Sequence, residues 1–275
     1  MSLGAKILSG TIWVSVDKFG TMFLQFFVNL ILARLLTPAD YGCIGMLAIF
    51  IVVSQVLIDG GFGSALIQKK QPTQVDYSTI FFWNLFFACF LYVVLFFSAP
   101  QIALFFKMPL LSDVLKVLGL ILIINSLGII QNNRLRKLLA FKKISLVNVL
   151  SLSAASLVGV FLAYRGWGVW SLVAMQLINA LLNAGTLWLV ARWYPSWTFS
   201  FATLKELFGF GGFLLASNVL QEICKNLQGL IIGRKFSSTE MGLYSQAKKL
   251  DDVACLTLPN VCLLYTSDAA DDLTR

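Results

Sequence analysis

The 275-residue chain contains no histidine. That absence excludes a Ser-His-Asp triad, a histidine general base and any histidine-containing zinc site. Cysteine is sparse: Cys43, Cys89, Cys224, Cys255 and Cys262 stand singly, without the CxxC spacing of a metal or redox site. Most of them fall in apolar runs, where a small buried hydrophobe is the expected role. No GxxxxGK or GxGxxG motif follows a strand-like run, so neither ATP hydrolysis nor dinucleotide binding is indicated. Charge is scarce too. Only 12% of residues are charged, against about 25% in soluble domains.

What fills the chain is apolar surface: 58% hydrophobic and 13% aromatic residues, with a mean hydropathy of +0.82. No soluble core could hide so much among so few charges, so the chain reads as an all-α integral membrane protein. The net charge of +8 sits in short loops between apolar stretches. That pattern fits membrane topology better than nucleic acid, which is not expected as a partner.

A helix needs about 20 apolar residues to cross the hydrocarbon core. Spans are expected near 10–36, 41–59, 77–98, 114–130, 144–163, 169–190 and 208–232, with an eighth starting after Gly242. Turn or breaker signals separate them at Thr37-Pro38, Gln71-Pro72, Ala99-Pro100, Arg165-Gly166 and Tyr194-Pro195. One set of loops carries Lys6, Lys69, Lys70, Arg134, Arg136, Lys137, Lys142, Lys143, Arg192 and Lys205. The opposite set carries Arg34, Lys107 and Arg165, which puts the N-terminus in the cytoplasm.

The run Cys262–Asp272 resembles the translation of a sequencing-library adapter. Residues 262–275 are therefore expected to be a non-native tail, with the natural chain continuing past Val261. Without the tail the net charge becomes +10.

An internal repeat joins the two ends of the chain. At an offset of 200, Arg34, Thr37, Asp40 and Gly42 coincide with Arg234, Ser237, Glu240 and Gly242. An even number of spans separates the copies, so both point the same way, as in a parallel repeat about an axis along the membrane normal. The helices before these loops agree. Asp17, Thr21, Gln25 and Asn29 recur every four residues, and Ser217, Gln221, Lys225 and Gly229 stand at the same offset, with Glu222 beside them.

An isolated charge at bilayer depth costs about 2.5–3.5 kcal/mol on insertion scales. Asp17, Lys18, Glu222 and Lys225 are therefore expected to face one another or a hydrated cavity. In this reading Lys18, Lys225, Gln25, Asn29 and Gln221 bind substrate, and Asp17 or Glu222 couples transport to H+ or Na+. Asn84, Asn125, Asn148, Asn179 and Asn183 are expected to bond between helices.

The run LARLLTPADYGCIGMLAIF, the segment Asp59–Lys70, the stretch Gly168–Val173, the stretch Leu204–Gly211 and the stretch Met241–Leu250 resemble the Wzx-like polysaccharide and O-antigen flippases of the MOP exporter superfamily, nearest the WzxC branch. The resemblance implies two six-helix lobes that move a lipid-linked oligosaccharide across the bacterial inner membrane. Residues 1–200 would form the first lobe, and 201–261 the first one or two helices of the second. It implies membrane lipids as surroundings, no cofactor, no metal and no catalytic residues. A cation-coupled multidrug exporter of the same superfamily and a membrane glycosyltransferase or polymerase are the rival readings.

Overall fold

A computed structural model describes residues 3–69, 71–249 and 251, with side chains from residue 13 onward except that of residue 210. Leu250 and residues 252–275, including the expected tail, lie outside the described residues, as do the side chain of Lys6 and all of Lys70. Among the described residues there is no strand. The helices in order are α1 (Leu3–Leu35), α2 (Pro38–Asp59), α3 (Phe62–Gln68), α4 (Gln74–Phe105), α5 (Leu110–Leu118), α6 (Leu120–Lys137), α7 (Phe141–Tyr164), α8 (Val169–Ala191) and α9 (Phe201–Lys235). A further helix occupies 238–249.

Six stretches are long and apolar enough to cross a membrane: Trp13–Leu35, Pro38–Gln68, Gln74–Phe105, Leu110–Lys137, Phe141–Tyr164 and Val169–Ala191. A seventh, α9, bends by 58° between Phe201–Gly209 and Gly211–Lys235. The protein is an all-α polytopic membrane protein. Its outer face is apolar, with Phe86, Phe97, Leu104, Leu157 and Leu189 exposed, as a surface solvated by acyl chains must be.

Helix ends follow from capping chemistry. Thr37 and Thr73 each precede an acid three residues on, and both form capping boxes, with Asp40 and Asp76 respectively. The Thr37 N–H and hydroxyl both donate to Asp40 Oδ2, at 2.9 and 2.7 Å. Ser237 repeats the arrangement, its N–H and hydroxyl donating to Glu240 Oε2 at 2.8 and 2.9 Å. The break between α2 and α3 falls at Gly60 and Gly61, whose φ values of 58° and 71° lie in the left-handed region that favours glycine.

Pro100 differs from expectation. It lies inside α4, which continues to Phe105. In a bilayer, neighbouring helices and side-chain bonds absorb the lost ladder bond, so proline does not end the helix as it would in water.

Packing uses small residues, since burial of apolar surface gives no net drive between helices in lipid. α1 lies on α7, α7 on α8, α8 on α6 and α6 on α4, while α2 packs against α4, α8 and α9. Gly128 of α6 meets Ala184 and Leu187 of α8. Cys43, Met46, Leu47, Leu111, Leu115, Val173 and Met241 share one core cluster, so helix 238–249 is seated in the same core as α2. Cys43 is buried as expected, but Cys89 and Cys224 face outward.

In the Arg134–Lys143 region, Lys137 also caps a helix. Lys137 Nζ donates to the carbonyls of Leu66 (3.0 Å), Ile67 (3.1 Å) and Lys69 at the end of α3. A cation there complements the negative end of the helix dipole.

Candidate functional site

Where α1, α2, α8, α9 and helix 238–249 meet, they enclose a cavity of about 260 Å³. Its lining follows the repeat. Positions 29 and 229, 41 and 241, 44 and 244, 45 and 245, 48 and 248, and 49 and 249 all contribute. Leu172, Met175 and Gln176 of α8 and Asn226 of α9 complete the wall. A cavity lined by residues at a constant offset of 200 sits on the axis that relates the two copies.

Beside it, the copies cross. A Cβ on Gly42 would strike the Ser238 carbonyl, and one on Gly242 would strike the Pro38 carbonyl. A Cβ on Gly45 would meet Ser245 Oγ. Pro38 and Ser238 are themselves 200 apart, so the contact is reciprocal.

Shape is symmetric here, but chemistry is not. The first copy contributes Ile44, Gly45, Ala48 and Ile49, and the second contributes Tyr244, Ser245, Lys248 and Lys249. Lys248 Nζ donates to the Lys225 carbonyl at 2.7 Å and to Asn226 Oδ1 at 3.4 Å. Lys249 Nζ donates to Asn29 Oδ1 at 3.3 Å and stands 5.1 Å from the centre of the Tyr41 ring. These hydrogen-bond and ring partners are uncharged and orient the two ammonium groups.

Of the residues singled out from sequence, Asn29 lines the cavity. Asp17 accepts hydrogen bonds from Asn148 Nδ2 at 3.1 and 3.4 Å, and Asn148 Oδ1 accepts one from Asn183 at 2.9 Å. This amide chain ties α1, α7 and α8 together. Lys225 pairs with Glu222 along α9 at 3.1 Å, and Asn226 donates to the Glu222 carbonyl at 2.9 Å. Lys18, Gln25 and Gln221 are exposed on their helices. Apart from Asn29, none of these candidates lines the cavity. Asn125 bonds Gln55 at 3.2 Å, whereas both polar atoms of buried Asn84 lack a partner among the described residues.

Lys248, Lys249, Tyr244, Gln176 and Asn226 escape the sequence reading. The signal was present for the first three. Extending the 200-residue register past Gly242 places them opposite Ile44, Ala48 and Ile49.

At the other end of α2, Lys69 Nζ lies 3.2 Å from both Asp76 and Glu206. Burial alone would lower its pKa, but hydrogen bonds to Glu206 and Asp76, with their charges, outweigh that and raise it. The bridge fastens the first part of α9 beside α3. Close by, Gly211 at the bend abuts Gly60 and Gly61, backbone to backbone.

Comparison with known proteins places these features in a family. The family described as "Polysaccharide biosynthesis protein" matches residues 31–262. The chain is 29% identical to "Teichuronic acid biosynthesis protein TuaB" of Bacillus subtilis, an alignment covering 94% of this chain and 54% of that protein. It is 26% identical to "Succinoglycan biosynthesis transport protein ExoT" of Rhizobium meliloti, covering 92% and 51%. Identity to "Lipopolysaccharide biosynthesis protein WzxC" of Escherichia coli is 23%, covering 90% and 51%. The chain thus spans about half the length of the curated relatives it matches. No solved structure matches it. With most of its length inside one family's bounds, the chain belongs to the polysaccharide biosynthesis protein family.

Proposed function

We propose that the protein moves a lipid-linked, polyprenyl-diphosphate oligosaccharide across the bacterial inner membrane by alternating access, with its N-terminus in the cytoplasm, for export of surface polysaccharide. The observation that carries this reading is the cavity on the repeat axis, with two ammonium groups on its wall held by uncharged partners. A lysine is a compact point charge suited to phosphate. The amide and hydroxyl groups of Asn29, Gln176, Asn226 and Ser245 are suited to sugar or phosphate oxygens.

The headgroup would sit in the cavity. Passage then requires the two copies to part at the Gly42–Gly242 crossing, while the polyprenyl tail stays in lipid. Two units, 1–200 and 201 onward, would rock against each other. Asp17, held by amides and not by a cation, is the proposed seat of a coupling H+ or Na+. Lys18, Lys225, Gln25 and Gln221 would meet substrate as it enters or leaves, and Glu222 holds Lys225 in place. The names of the relatives, which link them to teichuronic acid, succinoglycan and lipopolysaccharide, support the substrate class. No covalent step is invoked.

The test is deletion of the gene and complementation with the uninterrupted reading frame of its locus. Lys248→Ala together with Lys249→Ala should abolish surface polysaccharide at normal expression, and the lipid-linked intermediate should accumulate. Normal surface polysaccharide in that double variant would overturn the assignment of the cavity. Restored dye efflux without any effect on polysaccharide would favour the multidrug exporter.

A further inference from the structure

A second concavity shares no lining residue with the central cavity. Near the ends of α1 and α7 an open groove of about 590 Å³ is lined by Leu30, Ile31, Arg34 and Leu35 on one wall and by Val160, Phe161 and Tyr164 on the other. Apart from the Arg34 guanidinium and the Tyr164 hydroxyl, these side chains are hydrocarbon. The repeat bears directly on what fills the groove. Three of the four residues that α1 contributes recur unchanged at the offset of 200, as Leu230, Ile231 and Arg234 of α9. The same wall therefore exists twice, and at its second appearance the neighbour is present.

That neighbour is protein. α9 packs against α4, and the contact includes the end of α4. The Arg234 guanidinium carbon stands 4.8 Å from the centre of the Phe105 ring. A Cβ on Gly233 would lie 3.0 Å from Phe106 Cε1. Phe105 and Phe106 are themselves set edge to face, with centres 5.0 Å apart. Two rings thus close α4, and one of them meets the arginine.

Wherever both partners are present, the relation between the copies runs in both directions. Gly42 faces the Ser238 carbonyl and Gly242 the Pro38 carbonyl, and the central cavity draws on six pairs of positions at the same offset. A two-fold that carries α9 onto α1 carries α4 onto a helix 200 residues further on, and Phe105 onto position 305. The curated relatives are about twice as long as this chain, long enough to include that helix.

We infer that the groove between α1 and α7 seats the second copy's counterpart of α4, with an aromatic ring at position 305 on the Arg34 guanidinium, as Phe105 lies on Arg234. The walls suit this occupant. Apolar sides accept the end of an apolar helix, and a guanidinium is drawn to the negative face of an aromatic ring. One departure from symmetry is built in: Ala33 stands where the second copy has Gly233. Its methyl group holds the counterpart of Phe106 further off, so the contact centres on Arg34. The two arginines then clasp the copies reciprocally, each reaching from its own copy onto the α4 of the other. This inference rests on the repeat and not on transport, and its failure would leave the proposed function untouched.

The experiment uses the protein expressed from the uninterrupted reading frame, in nanodiscs, with the photoreactive residue p-benzoylphenylalanine in place of Phe161. Irradiation should join position 161 to a peptide of the same chain that carries position 305, to within one helical turn, about 4 residues, as mapped by mass spectrometry of the digest. The probe in place of Ile31, on the opposite wall, should capture the same peptide, which frees the result from the folding of any one variant. In place of Phe105 it should capture 230–235, the contact already seen. Adducts of positions 31 and 161 with lipid alone, with a second copy of the protein or with a different segment of their own chain would each overturn the proposal. So would a reading frame with no Phe, Tyr or Trp within one turn of position 305.

Discussion

The backbone nitrogen of Gly242 lies 3.1 Å from the point where a side chain on Gly42 would begin. Two helix starts, 200 residues apart, therefore touch without side chains between them. Alanine at either position would drive a methyl group into a carbonyl of the other copy. Gly42→Ala and Gly242→Ala should each destabilise the detergent-solubilised protein by about 1–3 kcal/mol, the usual range for overpacking. Gly185, with nothing within 4 Å of its would-be Cβ, provides the control: Gly185→Ala should be neutral or mildly stabilising. Thermal unfolding of the three variants decides the matter, and equal melting temperatures would refute the close approach.

The amide chain from Asn183 through Asn148 to Asp17 gives a second prediction. Asn148→Ala strips the carboxylate of its donor and should cost about 1–3 kcal/mol. Asp17→Asn alone should cost less, because an amide can still bond Asn148. In the double variant the two losses should be less than additive, as expected for partners in one network. Strict additivity in unfolding measurements would show that the contact contributes nothing.

The bridge at Lys69 is sensitive to alkali. Its pKa is raised above its ordinary value of 10.5 by Glu206 and Asp76 against the opposing effect of burial. A raised lysine stabilises the fold in full below the ordinary value, and that contribution fades as pH climbs through the raised one. Amide hydrogen exchange in 201–209, normalised to intrinsic rates, should therefore increase selectively above about pH 10.5. Lys69→Met should bring the same increase at neutral pH. No change in Lys69→Met would mean that the first part of α9 is held by its apolar contacts alone.

The capping box at Ser237 should respond to acid. Ser237 donates through its N–H and hydroxyl to Glu240, which lowers the carboxyl pKa below the ordinary 4.5. A depressed carboxyl contributes its stability above the ordinary value and loses it as pH falls through the lowered one. Fraying of residues 238–241, followed by hydrogen exchange, should set in only below that range, and Glu240→Gln should flatten the profile. At the other copy, Thr37→Ala should cost about 1 kcal/mol at neutral pH.

Much of this architecture could be read without coordinates because it rests on local chemistry. Arg, hydroxyl, acid and Gly recurring at an offset of 200 made the repeat visible, and runs of about 20 apolar residues located the spans. Pro100 misled because the breaker rule belongs to water, and α4 crosses lipid. The bend in α9 was hidden inside a single apolar run. It falls at Gly209–Gly212, where Gly211 meets the Gly60–Gly61 turn, 150 residues away in sequence. The polar stripe on α1 was legible, but its partners were not. Periodicity gives a face, and only packing shows that Asp17 turns toward Asn148 while Asn29 turns toward Lys249.

Along 44–49 and 244–249, the lining of the central cavity splits its tasks between the two copies. Exchanging Ile44, Ala48 or Ile49 for another apolar residue alters only how much room there is. Exchanging Tyr244, Lys248 or Lys249 alters what the room attracts. In those two segments girth and polarity can be adjusted separately, while Asn29 and Tyr41 of the first copy lend the wall polarity of their own.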